Sequence, residues 1–113
     1  MNNLYLRFLH ITRAITLNHS AIKNIDATAM LLLNEIAVRN LEGKTITVTE
    51  AMSLSTIASP ATIHRKLDEL REAELIEQIF EGKNRRTKYL VPTKTANAYF
   101  DKMASAITTA VNS

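Results

Sequence analysis

The sequence predicts an α+β fold, mainly helical, in which several helices surround a small antiparallel sheet. Three observations carry that expectation. Apolar residues recur at helical spacing near both ends of the chain, two capped helices follow one another between residues 49 and 73, and a β-prone hairpin with a basic turn occupies residues 75 to 91. The 113 residues fit one domain, and a domain of this size buries only about two-thirds of the surface that its unfolded chain exposes. Its core is therefore modest, and several apolar stripes on so short a chain point to burial against a second copy.

In chain order, Leu4, Phe8, Ile11 and Ile15 form one stripe of an amphipathic helix, with Arg7 and Arg13 off it. Asp26 is placed to cap a second helix carrying Ala29, Met30, Leu33, Ile36 and Ala37 inward. Leu31 and Leu32 widen its apolar face until Glu42-Gly43 stops it, so it should be mostly buried. Thr45 to Val48 alternates in β-prone residues, as a short strand does. Thr49 is the expected N-cap of a short helix that uses Met52 as a core contact and ends near Ser55.

Ser59-Pro60 opens the next helix. Proline at the first helical position gives up no hydrogen bond there and brings φ already set, and Ile63, Leu67 and Leu70 then face inward to about Ala73. Leu75 to Phe80 reads as a strand, Glu81 to Lys88 as its turn and Tyr89 to Val91 as the returning strand. Pro92 cannot donate to a ladder and ends it. Thr93 starts a last helix with Ala96, Phe100, Met103 and Ile107 on one stripe.

The formal charge is only +3, so its distribution matters more than its total, and four of the 14 basic residues fall between Lys83 and Lys88. With no cysteine, disulfides and thiolate metal sites are excluded. His10, His19 and His64 lie far apart without a paired ligand pattern, so no metal is expected, and Met30, Met52 and Met103 read as core. Ser59 has no evident base beside it and no glycine-rich phosphate loop occurs, so neither catalysis nor a cofactor is expected. The apolar start is broken by Arg7, His10 and Arg13. Neither a signal peptide nor a membrane span is expected, and a cytoplasmic protein follows.

The helix opened by Ser59 is polarised. Ser59, Ala61, Thr62, His64, Arg65 and Lys66 place small, hydroxyl and basic groups in its first turns, whereas Asp68, Glu69, Glu72 and Glu74 make its far end acidic. Such polarity suits a helix whose N-terminal end enters the major groove of duplex DNA, where the backbone dipole also favours phosphate. Arg65 is the best candidate for reading a base edge, because a guanidinium hydrogen-bonds guanine bidentately. Lys83, Arg85, Arg86 and Lys88 on the hairpin suit the phosphate backbone or a narrow minor groove, which adds affinity with little sequence information. Adjacent strand residues face opposite ways, so Arg85 and Arg86 should not share one task, and one of them is free to brace the hairpin. Helix, helix and basic hairpin in this order read as a winged helix-turn-helix.

Over residues 46 to 95 the sequence resembles the MarR-like winged-helix transcription regulators. Thr47-Val48-Thr49-Glu50 looks like the start of that family's first motif helix, Ala61-Thr62-Ile63-His64-Arg65 through Leu70 like its recognition helix, and Asn84-Arg85-Arg86-Thr87-Lys88 with Thr93 like its wing and the threonine after it. The resemblance implies a homodimeric regulator on a pseudo-palindromic DNA site, with a small-molecule effector as a further expectation. Residues 1–40 and 94–111 would pair the subunits, and residues 45–93 would form the DNA-binding core and wing. The chain departs from the pattern in three ways. Asn84 stands where the wing usually carries aspartate, Glu74 stands where glycine is usual, and one helix follows the wing instead of two. A left-handed conformation at Glu74 would cost about 1 kcal/mol. The alternative reading is a winged helix that binds protein and not DNA, through the acidic surface from Asp68 to Glu81.

Overall fold

The computed structural model describes residues 3–112, which form α1 (Leu4–Asn18), α2 (Ala27–Leu41), α3 (Val48–Met52), α4 (Pro60–Glu72), β1 (Ile76–Phe80), β2 (Lys88–Pro92) and α5 (Lys94–Asn112). Local chemistry starts most of these elements. The Asn3 side chain accepts from the Leu6 N–H at the head of α1, and Asp26 Oδ1 accepts from the Ala29 N–H at 2.9 Å at the head of α2. Gly43, at φ 73°, ends α2 in the left-handed region that glycine enters without steric cost.

The expected strand at Thr45–Val48 is reduced to one bridge, Ile46 with Leu90, because the threonine behind it is used otherwise. Thr47 Oγ1 accepts from the Glu50 N–H at 3.1 Å while Glu50 Oε1 accepts from the Thr47 N–H at 3.0 Å. This reciprocal capping box satisfies two backbone donors and starts α3 at Val48, so the N-cap is Thr47 and not Thr49. The helix also stops earlier than expected, at Met52, and Leu54, Ile57 and Ala58 lead onward against the core.

Ser59 and Pro60 open α4 as expected, and Ile63, Leu67 and Leu70 are buried. Its end explains the departure at residue 74. Glu74 has φ 60°, its N–H bonds the Arg71 carbonyl, and the Leu75 N–H reaches back to the Leu70 carbonyl, the two bonds of a Schellman motif. Glutamate thus occupies a position that favours glycine. Glu74→Gly is expected to raise the melting temperature by about 4 °C, from removal of about 1 kcal/mol of left-handed strain. An unchanged or lower melting temperature would show that the strain relieved does not exceed the entropy that glycine adds to the unfolded chain.

β1 and β2 pair antiparallel, with Ile76 opposite Pro92, Gln78 opposite Leu90 and Phe80 opposite Lys88. Thr93 ties the hairpin to both neighbouring helices: its hydroxyl donates to the Glu74 carbonyl at 2.6 Å and accepts from the Ala96 N–H at 3.2 Å. Ile22, Leu32, Leu33, Ile36, Ile63, Leu70, Leu75 and Leu90 are the largest fully buried side chains. The core therefore lies among α2, α4, the hairpin and the corner between α1 and α2.

α5 turns a different face inward from the one its large residues suggest. Ala96, Tyr99, Ala106 and Ala110 are buried, Phe100 and Met103 are half-buried, and Ile107 is 57% exposed. α1 packs along α5, where the Tyr99 ring meets His19 edge-on at 5.6 Å and its hydroxyl lies 3.5 Å from Thr16 Oγ1. On α1, Leu4 is exposed and Phe8, Ile11 and Ile15 are only half-buried. α2 keeps Leu31, Val38 and Leu41 outside, so it is buried on one face rather than mostly buried. The molecule is elongated, 53 × 29 × 25 Å. Among the described residues no helix is long and apolar enough to cross a membrane.

Candidate nucleic-acid interface

The N-terminal half of α4 presents Ser59, Ala61, Thr62, His64 and Arg65 together on the outer side. Ser59 Oγ accepts from the Thr62 N–H at 3.3 Å and donates to Thr62 Oγ1 at 3.0 Å, and that Thr62 oxygen also accepts from Arg65 Nη2 at 3.3 Å. Arg65 is exposed and steadied by one nitrogen, with the rest of its donors facing solvent. His64 is exposed too, its Nδ1 3.5 Å from Asp68 Oδ2.

Lys66 does not join this face. Its side chain is only 15% exposed, and its ammonium lies 2.6 Å from Asp26 Oδ2 and 3.1 Å from Glu69 Oε2. Residue 66 comes three after Ile63 and one before Leu67, so the 3.6-residue period puts it beside the buried stripe. The ammonium holds the Asp26 carboxyl below the usual aspartate range through a hydrogen bond, and Asp26 and then Glu69 hold the lysine above its own. The acidic half of α4 is likewise engaged internally: Asp68 pairs with Arg71, whose Nη1 donates to Gln78 Oε1 on β1 at 3.1 Å.

In the hairpin turn, Gly82 has φ 57°, and Asn84 Oδ1 accepts from the backbone N–H groups of Arg86 at 2.9 Å and Thr87 at 3.3 Å. The amide therefore closes the turn itself, and the aspartate found at this place in the family pattern is not needed for that closure. The side chains divide, although Arg85 and Arg86 lie in the turn and not in the strand, which begins at Lys88. Arg85 and Lys88 both lie over the Phe80 ring, each charge 5.6 Å from its centroid, while Arg86 is engaged through its backbone N–H and turns its exposed side chain to solvent. Lys83 is exposed at the tip. Arg85 is the bracing arginine and Arg86 the free one.

Between the wing and the start of α3 runs a groove of 480 Å³, bordered by Thr47 and Thr49 on one side and by Phe80, Arg85, Arg86 and Lys88 on the other. α3 also packs on α4, so it joins the wing to the α4 side of the molecule. Thr47, Thr49 and Phe80 are absent from the site residues expected from sequence. Thr47-x-x-Glu50 is a capping-box signature that the chain carries locally, whereas Thr49 and Phe80 come beside the wing only through the folded contact. Among the described residues no cluster of three or more His, Asp or Glu side chains could hold a metal ion.

No family model and no curated protein sequence matches the chain. Solved structures do. A MarR-like transcriptional regulator from Thermotoga maritima superposes with a TM-score of 0.69 at 15% identity, over 96% of this chain and 71% of that one. MarR itself gives 0.57 at 19% identity, over 96% and 76%. A mutant MarR from E. coli complexed with operator DNA gives 0.55 at 15%, over 92% and 70%. Capped α3 and α4, the Asn84-closed wing and the packing of α5 on α1 thus assemble into a known architecture, and the fold of this chain is the MarR-like winged helix.

Proposed function

We propose that the protein is a dimeric, sequence-specific regulator of transcription that acts in the cytoplasm on double-stranded DNA. α4 enters the major groove by its N-terminal half, with Arg65 reading a base edge and Ser59, Ala61, Thr62 and His64 around it. Lys83, Arg86 and, from their seat on Phe80, Arg85 and Lys88 lie on the backbone or in the flanking minor groove. The observation that carries this reading is the distribution of charge partners. Among the described residues the four wing cations have no carboxylate within ion-pair distance, whereas Asp68 and Glu69 at the repelling end of α4 are paired with Arg71 and Lys66. Unpaired cations on an exposed turn release counterions when they meet phosphate.

Dimerisation through the first and last helices is supported by an uncovered apolar face. Leu4, Tyr5 and Phe8 of α1 with Ile107, Ala110 and Val111 of α5 line a groove of 500 Å³, almost free of polar surface. On α5 the face continues through Ala104 to Phe100, since residues 100, 104, 107 and 111 share one side of a helix. A twofold axis there would present two α4 helices to successive major grooves about 34 Å apart. A small-molecule effector would find room in the open cavity of 780 Å³ between the α1–α2 connection and the end of α4, lined by Ile25, Glu72, Glu74 and Thr95.

Gel-shift titration on a promoter fragment, beside an unrelated duplex of equal length, tests the assignment of roles. Arg86→Ala is expected to weaken binding to both duplexes and to flatten the salt dependence by about 0.9 in log–log slope for each phosphate that is no longer neutralised. Arg65→Ala should cost about 1–3 kcal/mol on the promoter fragment and less on the unrelated duplex. Equal losses on both duplexes for both variants would refute the division of labour.

A further inference from the structure

We propose that Lys66 is a positioning residue of the recognition helix: with Asp26 it sets the rotation of α4 about its own axis, and it makes no contact with DNA. The inference rests on the DNA-binding reading above. Its basis is one carboxylate that serves two elements. Asp26 Oδ1 caps α2 through the Ala29 N–H, while Oδ2 takes the Lys66 ammonium at 2.6 Å. α2 and α4 are thereby tied at the point where α2 begins. Glu69, one turn along α4, holds the same ammonium through Oε1 at 3.3 Å and Oε2 at 3.1 Å, so two carboxylates surround a side chain that is 15% exposed.

A cation held in this way has no counterion to release to phosphate. What it supplies is direction. Ile63, Leu67 and Leu70 set which face of α4 turns into the core, but apolar packing alone fixes the angle less sharply than a hydrogen bond of defined geometry. A charge-assisted hydrogen bond at residue 66 sharpens that angle, and its neighbour Arg65 lies about 100° around the same helix. The angle at which Arg65 meets a base edge follows from where the Lys66 ammonium is held. Base-edge hydrogen bonds weaken steeply with misalignment, whereas phosphate contacts through long flexible side chains do not.

The test is fluorescence anisotropy against salt, on the genomic fragment that the protein selects most tightly and on an unrelated duplex. It uses the full chain with Lys66→Ala, Lys66→Arg, Asp26→Asn and the Lys66→Ala/Asp26→Asn double variant. Asparagine keeps the oxygen that caps α2 and removes the charge that holds Lys66, so folding is preserved and circular dichroism verifies it. Lys66→Ala and Asp26→Asn are each expected to lower affinity for the selected fragment about tenfold and for the unrelated duplex by less than about twofold, with the salt slope unchanged. The double variant should be no worse than either single one, and Lys66→Arg should restore most of the discrimination. A salt slope flattened by about 0.9 in Lys66→Ala, or full discrimination retained in Asp26→Asn, would overturn the proposal and make Lys66 a phosphate contact or a bystander. If the unaltered protein binds no DNA, the DNA-binding reading has failed separately. Hydrogen exchange of the α4 amides then decides whether the pair holds the helix: faster exchange in Lys66→Ala and Asp26→Asn but not in Lys66→Arg supports it, and unchanged exchange refutes it.

Discussion

Leu70→Ala is expected to lower the unfolding free energy by about 3 kcal/mol, and by up to about 5 kcal/mol if the cavity stays open. Leu70 has no exposed surface, belongs to the buried core cluster, and contributes the carbonyl that closes the Schellman turn at Leu75. The substitution leaves that carbonyl in place and removes only the side chain. A domain of this size is stable by about 5–15 kcal/mol, so the loss is a large share of the total and should lower the melting temperature by roughly 10 °C. Urea denaturation checks it: the midpoint should fall with the slope unchanged. A loss below about 1 kcal/mol would mean that α4 is held mainly by its polar ties to Asp26 and Gln78 and not by its buried face.

Ile107→Asp should have the opposite profile, with little effect on the fold of one protomer and a large one on assembly. Ile107 is 57% exposed in the protomer and stands in the centre of the α5 stripe. A carboxylate there meets water in the monomer but would be buried without a partner in the proposed dimer, which is strongly unfavourable. Sedimentation should show a shift from dimer to monomer. Operator binding should fall by at least about a hundredfold, because two linked recognition helices gain that much or more over one through effective concentration. Retained dimerisation at micromolar concentration would move the interface elsewhere, to the α2 surface of Leu31, Val38 and Leu41 in the first instance.

Much of this architecture is legible wherever the determinant is local. Asp26 and Ser59-Pro60 each satisfy or forgo backbone donors within three residues, and both open helices at the expected positions. Ile63, Leu67 and Leu70 face inward because the period alone dictates it. Expectation fails where two local signals compete or where the partner is remote. Thr45–Val48 has strand propensity, but Thr47-x-x-Glu50 satisfies its own donors as a helix cap, and that arrangement wins. Lys66 reads as a surface cation until Asp26, forty positions earlier in the chain, is folded against it. On α5 the inward face is selected by its surroundings: Tyr99 meets His19 and Thr16 at the end of α1, and Ala96, Ala106 and Ala110 are buried while Ile107 is left outside. At the wing, Asn84 lacks the charge of an aspartate but keeps its acceptor oxygen, and closing this turn needs only the oxygen.

The central claim is that the wing and the N-terminal half of α4 meet duplex DNA. Anisotropy of a labelled promoter fragment, titrated with the unaltered protein at several salt concentrations beside an unrelated duplex, tests it most directly. If two wing cations of each protomer neutralise phosphates, log K should fall linearly with log salt at a slope of roughly −4, or steeper if more take part. The promoter fragment should also be bound at least about tenfold more tightly than the unrelated duplex at the same salt. No binding at low salt, or an affinity indifferent to salt and equal for both duplexes, would contradict the account.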